Sequence, residues 1–362
     1  MLRRSLLSTA AALPLLPAAA ALSATRAVAA PAADARRWRT FELVETVDIP
    51  VDAGRTKLWL PLPQDADWQR LEGVTWSGNA PTMGIHRDTG TGATAFHAEW
   101  PEGGEGRKVA LTMRVGALGR HTDFTKATAA SAPLPESIAG YLRPSSMIVT
   151  DGIVKETAER ITRGKTGAVE KAQAVFDWIC ENTFRDAKVK GCGIGDIRAM
   201  LTTGNLSGKC ADLNALFVGL TRAAGVPSRG VYGVRAAPSA HYPAMGAKTA
   251  DISKGQHCRA EFWAAGLGWV PADPADIRKV VLDDKLALTD PKMADLRKFL
   301  FGSWENNWIA YNSGRDVRLP LSKGEPVNFF MYPEAETAKG PRDGVDPDTF
   351  VYKIASREIA AA

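Results

Sequence analysis

"GKCADLNALFVGLTRAAGVPSR", residues 208–229, sets one cysteine, Cys210, at the head of an apolar-periodic stretch. Leu213, Leu216, Phe217, Leu220 and Ala224 recur at helical spacing, which predicts an amphipathic helix. Gly225 and Pro227 end it. It starts near Gly208, with Ser207 as a cap. Cys210 then lies in the first turn, where unpaired backbone N–H groups and the helix dipole stabilise negative charge. A thiolate is favoured in such a place, and the thiolate is the nucleophilic form. The same N–H groups can hold the oxyanion of a tetrahedral intermediate. Position alone leaves three readings open: a nucleophile, a core residue or half of a disulfide.

A nucleophile needs a base. The chain has five histidines, and His257 opens "HCRAEFWAAGLGWVPADPAD", residues 257–276. This stretch reads as a hairpin of strand, turn and strand. With the turn centred on Ala265, Trp263 faces Leu267, Glu261 faces Trp269, Arg259 faces Pro271, and His257 faces Asp273. Pro271 has no N–H and fits a non-hydrogen-bonded position. His257 and Asp273, two residues along, would share that closer kind of pairing. An aspartate beside a histidine fixes its tautomer and stabilises the imidazolium, as the third member of a triad does. Cys258 points to the other face, into the core or towards another cysteine. Cys192, in "GCGIGD", has no helix start of comparable clarity after it.

The remaining chain supplies the setting. At 362 residues it has room for about two domains. Residues 1–29 read as a signal peptide: Arg3-Arg4, an apolar stretch, then Ala27-Val28-Ala29 as a cleavage site. The paired arginines resemble a twin-arginine signal, with general secretion the other route. Removal of this segment takes Arg3, Arg4 and Arg26 and no acidic residue, so the net charge falls from +5 to +2. That is no electrostatic footprint for nucleic acid, and no later segment is apolar and long enough to span a bilayer. An exported chain is read as periplasmic or secreted. Its four cysteines, Cys180, Cys192, Cys210 and Cys258, would by default form two disulfides. If Cys210 is a free nucleophile, one further thiol is left over. Their spacings fit no structural zinc pattern.

Residues 38–118 read as a β domain, from the alternating runs "FELVETVDIP", "TKLWLPLP", "TAFHAEWP" and "RKVALTMRV" between turn clusters. Residues 119–150, with Pro133, Pro135 and Pro144, read as a linker. Helical periodicity then appears in "IVKETAERITR", "VEKAQAVFDWICENTF" and "IRAMLTTGN", which opens a catalytic domain over 151–290. The polar segment 236–256, with His241 and Tyr242, is long enough to be a lid over a cleft. Residues 291–362 form a C-terminal extension packed on the core. Its Trp304, Trp308 and Tyr311 suit burial, or alternatively a carbohydrate cleft.

Three motifs together resemble the core of the bacterial transglutaminase-like proteins of the papain-like superfamily. They are the Gly-x-Cys helix start ending in "AAGVPSR", the histidine at a strand start, and the Gly-Trp-Val-Pro-x-Asp strand, in the family's order. The resemblance covers about residues 170–280. It implies an α+β fold, with a papain/transglutaminase-like core in which the nucleophile helix packs on an antiparallel sheet, preceded by a small β-sandwich-like domain. By the same resemblance Cys210 is the nucleophile, His257 the general base and acid, and Asp273 the orienter. No side-chain oxyanion donor is matched. No calcium loop is present, and neither a cofactor nor a metal is implied.

The implied chemistry is a thioester acyl-enzyme formed at a carboxamide or peptide carbonyl. Water as second acceptor makes a peptidase or amidase, which is the favoured reading because transfer needs a dedicated amine site. A lysine amine would make a protein-glutamine gamma-glutamyltransferase. A third reading, from another class, is a non-catalytic envelope binding protein on the same fold. The partner expected is a peptide or protein, or a cell-envelope polymer.

Overall fold

The computed structural model describes residues 37–359 except 51–53, 105, 129–132, 343 and 346–349. The expected signal segment, 1–29, lies outside the described residues. The N-terminal strands are β1 (Arg39–Ile49), β2 (Thr56–Leu62), β3 (Gln69–Gly78), β4 (Thr82–Arg87), β5 (Thr94–Trp100), β6 (Arg107–Ala117) and β7 (Arg120–His121). Helices α1 (Glu136–Ala139), α2 (Gly152–Ile161) and α3 (Ala168–Asn182) follow. Then come β8 (Phe184–Arg185), α4 (Ile197–Thr203), β9 (Ser207–Gly208), α5 (Cys210–Ala223), β10 (Ser228–Arg235), β11 (Gln256–Ala264) and β12 (Gly268–Ala272). The chain closes with α6 (Pro274–Asp283), α7 (Pro291–Leu300), β13 (Ser303–Trp304), β14 (Trp308–Asn312), β15 (Glu334–Thr337), β16 (Gly340–Arg342) and β17 (Tyr352–Ile359). Among the described residues no helix is long and apolar enough to cross a membrane.

Two sheets make the N-terminal sandwich, in the orders β17-β1-β6-β3 and β16-β15-β2-β5-β4. Alternation along β1 turns Phe41, Leu43, Val47 and Ile49 inward, and Leu58, Leu60, Phe96 and Leu111 complete that core. The C-terminal stretch does more than pack on the core. Its β17 pairs with β1 and its β15 with β2, so both sheets are completed by residues some 300 positions downstream. Alternation marks a strand but carries no information about its neighbour, and this pairing was not legible locally.

A four-stranded antiparallel sheet, β12-β11-β10-β14, carries the second part of the molecule. Helix α5 packs on β11 and β10, with α2 and α3 on its other sides. It is therefore buried nearly all round, from Cys210 to Thr221, rather than amphipathic as its periodicity predicts. A helix enclosed by neighbours on every side has no solvent face to keep polar. Its buried Thr221 bonds back to the Phe217 carbonyl and to Ser228 Oγ.

The hairpin register differs from the expected one. Trp263 pairs with Trp269 and Glu261 with Pro271. The turn centres on Gly266 (φ 78°), followed by Gly268 (φ 72°). Both are left-handed positions that glycine takes without strain. A side chain at Gly266 would also strike the Lys126 carbonyl at 2.3 Å. The turn thus falls one residue later, and every partner moves by two. A shift of two keeps each side chain on its own face. His257 consequently has no partner on β12, because β12 ends at Ala272 and Asp273 opens α6.

The two parts are joined by buried polar contacts. Gln69 of β3 donates to and accepts from the backbone of Ala310 in β14. Arg120 of β7 and Arg229 of β10 both bind the fully buried Glu261 of β11. Trp304 and Trp308 are buried against Trp68, with Arg120 and Arg259 over their rings. They serve packing and line no carbohydrate cleft.

Candidate active site

Helix α5 begins at Cys210 itself, not at Gly208. Ser207 is drawn into β9, and the cap is supplied from within the helix. The carboxylate of Asp212 accepts the Lys209 N–H at 2.9 Å and, with its other oxygen, the N–H groups of Ile194 and Gly195 at 3.1 and 2.8 Å. One side chain thereby closes the helix start and latches the "GCGIGD" loop onto it. Glycine is required at Gly193 for this: its φ is 88°, and a Cβ would sit 1.8 Å from Asp212 Oδ2. The latch brings the Cys192 carbonyl onto the Ala211 N–H at 2.9 Å. Burial pushes the Asp212 pKa up, against the pull of those N–H bonds.

Cys210, Cys192 and His257 border one cavity of about 640 Å³. Arg235, Lys209 and Tyr332 also line it. The segment 236–256 forms part of its wall through Gly246–Thr249 and Asp251–Gln256. His241 lies instead against Phe299, with ring centroids 4.1 Å apart.

His257 donates from Nε2 to Asp273 Oδ2 at 2.7 Å, and both are buried. The expected pair exists, though not as a cross-strand pair. Asp273 is the N-cap of α6, with Pro274 at the first helical position, an arrangement that favours a helix start. Its Oδ1 accepts the Asp276 N–H at 3.2 Å and Asn214 Nδ2 at 3.2 Å. The carboxylate is therefore fixed by a helix terminus and by α5 before it meets the imidazole. Nδ1 is the ring nitrogen left for a proton from elsewhere. Trp308 Nε1 holds the His257 carbonyl at 3.0 Å.

Local reading missed a surrounding layer. Asp276 Oδ2 lies 3.5 Å from His257 Nε2, and its Oδ1 accepts Arg235 Nη2 at 2.6 Å. Arg259 Nε stands 3.7 Å from Asp273 Oδ2. Asn214, one helical turn after Cys210, also donates to the Cys258 carbonyl at 2.8 Å. Signals existed for two of these residues. "DPAD" is a cap sequence that names Asp276 as well as Asp273, and Asn214 is a polar residue inside an apolar run. Arg235 had none. Burial and Arg235 lower the His257 pKa, but Asp276 and Asp273 outweigh them and the net shift is upward. Burial raises the Asp276 carboxyl, yet Arg235 with His257 holds it well below the usual range.

All four cysteines are unbridged, so the two expected disulfides are not formed. Cys180 is buried at the end of α3, and burial pushes its thiol up. The other three cluster: the Sγ atoms of Cys192, Cys210 and Cys258 all lie within 4.8 Å of one another. Cys192 Sγ donates to the Gln256 carbonyl at 3.3 Å. Cys258 does face away from His257, towards its fellow cysteines.

Comparison with known proteins agrees with this fold. Residues 155–274 match the family model described as the transglutaminase-like superfamily. An uncharacterized protein of Haemophilus influenzae is 36% identical over 337 residues, covering 88% of this chain and 91% of its own. Among solved structures, a "putative cysteine protease" from Cytophaga hutchinsonii aligns over 90% of this chain and 92% of its own, with a TM-score of 0.56 at 15% identity. At that identity the likeness speaks for the fold alone. With its cysteine-headed helix packed on an antiparallel sheet that carries the histidine, the chain belongs to the transglutaminase-like superfamily.

Proposed function

We propose that the protein is a cysteine-dependent acyl-transfer enzyme acting on a peptide or carboxamide carbonyl, with water as the usual acceptor. The observation that carries this reading is the buried His257–Asp273 hydrogen bond of 2.7 Å on the wall of the cavity that Cys210 heads. Cys210 Sγ attacks the carbonyl carbon, and its proton passes to His257 Nδ1. Asp273 balances the imidazolium charge. The oxyanion is held by the N–H of Cys210, the first helical residue, which has no partner inside its own helix. His257 returns the proton to the leaving amine, and a thioester remains. Water, deprotonated by His257, then releases the acid and the free thiol.

The test uses the chain and its Cys210→Ala form with glutamine-containing peptides, with and without a primary amine, read by mass spectrometry. Cleaved or deamidated products that vanish in the variant are the expected result. Amine adducts would make the protein a transferase instead. Products that persist in Cys210→Ala would remove Cys210 from the chemistry.

The same proposal places the enzyme outside the cytoplasm. Its support is the basic start, Arg3-Arg4, and the Ala27-Val28-Ala29 end of the apolar leader. Amino-terminal sequencing of protein from the cell envelope should begin near Ala30, and an intact Met1 would contradict export.

A further inference from the structure

The mechanism uses one thiol of a three-thiol cluster, and the other two have no part in it. Cys192 comes from the loop latched by Asp212, Cys210 from the start of α5 and Cys258 from β11. These are three separate elements, each fixed by its own hydrogen bonds, and their Sγ atoms all lie within 4.8 Å of one another. A metal–thiolate bond is about 2.3 Å, so the sulfurs of a trigonal site stand roughly 4.0 Å apart. The triangle is therefore near the size that closes on an ion, needing a contraction of under about 1 Å. Cys192 and Cys210 border the cavity, which gives an ion a way in. Arg185 and Lys209 line that cavity too, and their charge offsets the excess negative charge of three thiolates around one ion. Three sulfur donors select soft d10 cations over the hard ones that carboxylates prefer. The other acidic group of the site, His257 with Asp273 and Asp276, makes a poor rival, because Arg235 and Arg259 already compensate its carboxylates.

We propose that Cys192, Cys210 and Cys258 form a binding site for a single soft d10 metal ion, of the Cu(I) or Zn(II) class. Binding displaces a proton from each thiol still protonated and forms three metal–sulfur bonds, with no change of oxidation state. Because one of the three sulfurs is the Cys210 nucleophile, an occupied site is an inactive one. That consequence rests on the function proposed above, whereas the binding itself does not.

The test is a titration of the full chain with Cd(II) as the d10 probe, kept reduced under nitrogen with a phosphine. Ultraviolet sulfur-to-metal charge transfer reports the bonds and competition with a chelator reports the affinity. One ion per chain is expected, with the absorbance of three thiolates. Cys192→Ser and Cys258→Ser should each weaken binding by at least the 10–100-fold that losing an outer-shell partner costs a metal site. Cys180→Ser, outside the cluster, should bind like the parent. His257→Ala should keep the metal while losing turnover, which separates failure of this proposal from failure of the enzymatic one. Near-uniform affinity across parent, Cys192→Ser and Cys258→Ser would overturn the site, as would the absorbance of only two thiolates. If Cys258→Ser does not fold, Cys192→Ser alone decides, because its loop lies at the cavity wall.

Discussion

Asp273→Asn should fold normally and lower turnover by about 10,000-fold, the loss seen when the orienting aspartate of a serine triad is made an amide. The reason lies in the two oxygens. Oδ1 accepts from the Asp276 N–H and from Asn214 Nδ2, while Oδ2 accepts from His257 Nε2. An amide has one oxygen, and the cap of α6 demands it. The NH2 group is then turned to Nε2, which must become an acceptor. The ring proton moves to Nδ1, and the imidazole can no longer take a proton from Cys210. Asparagine caps helices about as well as aspartate, so the fold is spared. Asp276→Asn should cost far less, because its oxygen stands 3.5 Å from Nε2, beyond hydrogen-bond contact. The rate of Cys210 alkylation against pH, mapped by peptide mass, checks both variants without a known substrate. An Asp273→Asn enzyme within tenfold of the parent would remove Asp273 from its role.

The second large effect concerns stability. Glu45 sits among the inward residues of β1, between Leu43 and Val47, fully buried, and neither carboxylate oxygen has a hydrogen-bond partner. Burial raises its pKa to about 8 from the ordinary 4.5. The folded chain therefore holds a proton that the unfolded chain releases between these values. The sign follows: below pH 4.5 both states are protonated and nothing is lost. As pH rises to 8, stability falls, and above 8 the full penalty stands. Its size is of the order of 5 kcal/mol at 1.36 kcal/mol per unit. Glu45→Gln imitates the protonated form and should abolish that slope. Urea unfolding of parent and variant at pH 5 and pH 8.5 should give similar stabilities at the lower pH and a variant more stable by several kcal/mol at the higher. Parallel pH profiles would show that Glu45 is not a buried acid.

Much of the site could be read locally, because its members announce themselves by their position in an element. Cys210 heads a periodic run, His257 opens a strand, and Asp273 precedes a proline at a helix start. The hairpin turn falls one residue later than its spacing predicts, yet His257 and Asp273 still meet, because the aspartate caps α6 just beyond the end of β12 and is held there beside the imidazole. Asp276 was visible in "DPAD", but its nearness to the imidazole was not, because that depends on where α6 lies over β11. Arg235 and Asn214 joined the network through pairings between elements that no local pattern encodes.

The sequence by itself determined the alternating N-terminal strands, the helices from α2 to α5, the hairpin that follows them, the cysteine at the head of a helix, and the histidine and aspartate that come to lie side by side. Each of these follows from short-range periodicity, capping and turn chemistry. Only the tertiary structure decided that β15 and β17 return to complete the N-terminal sheets. It also decided that no disulfide forms, and that Cys192 and Cys258 converge on Cys210 from positions 18 residues before and 48 after it. Those outcomes depend on which distant surfaces bury one another, and long-range packing leaves no trace in the spacing of a single chain.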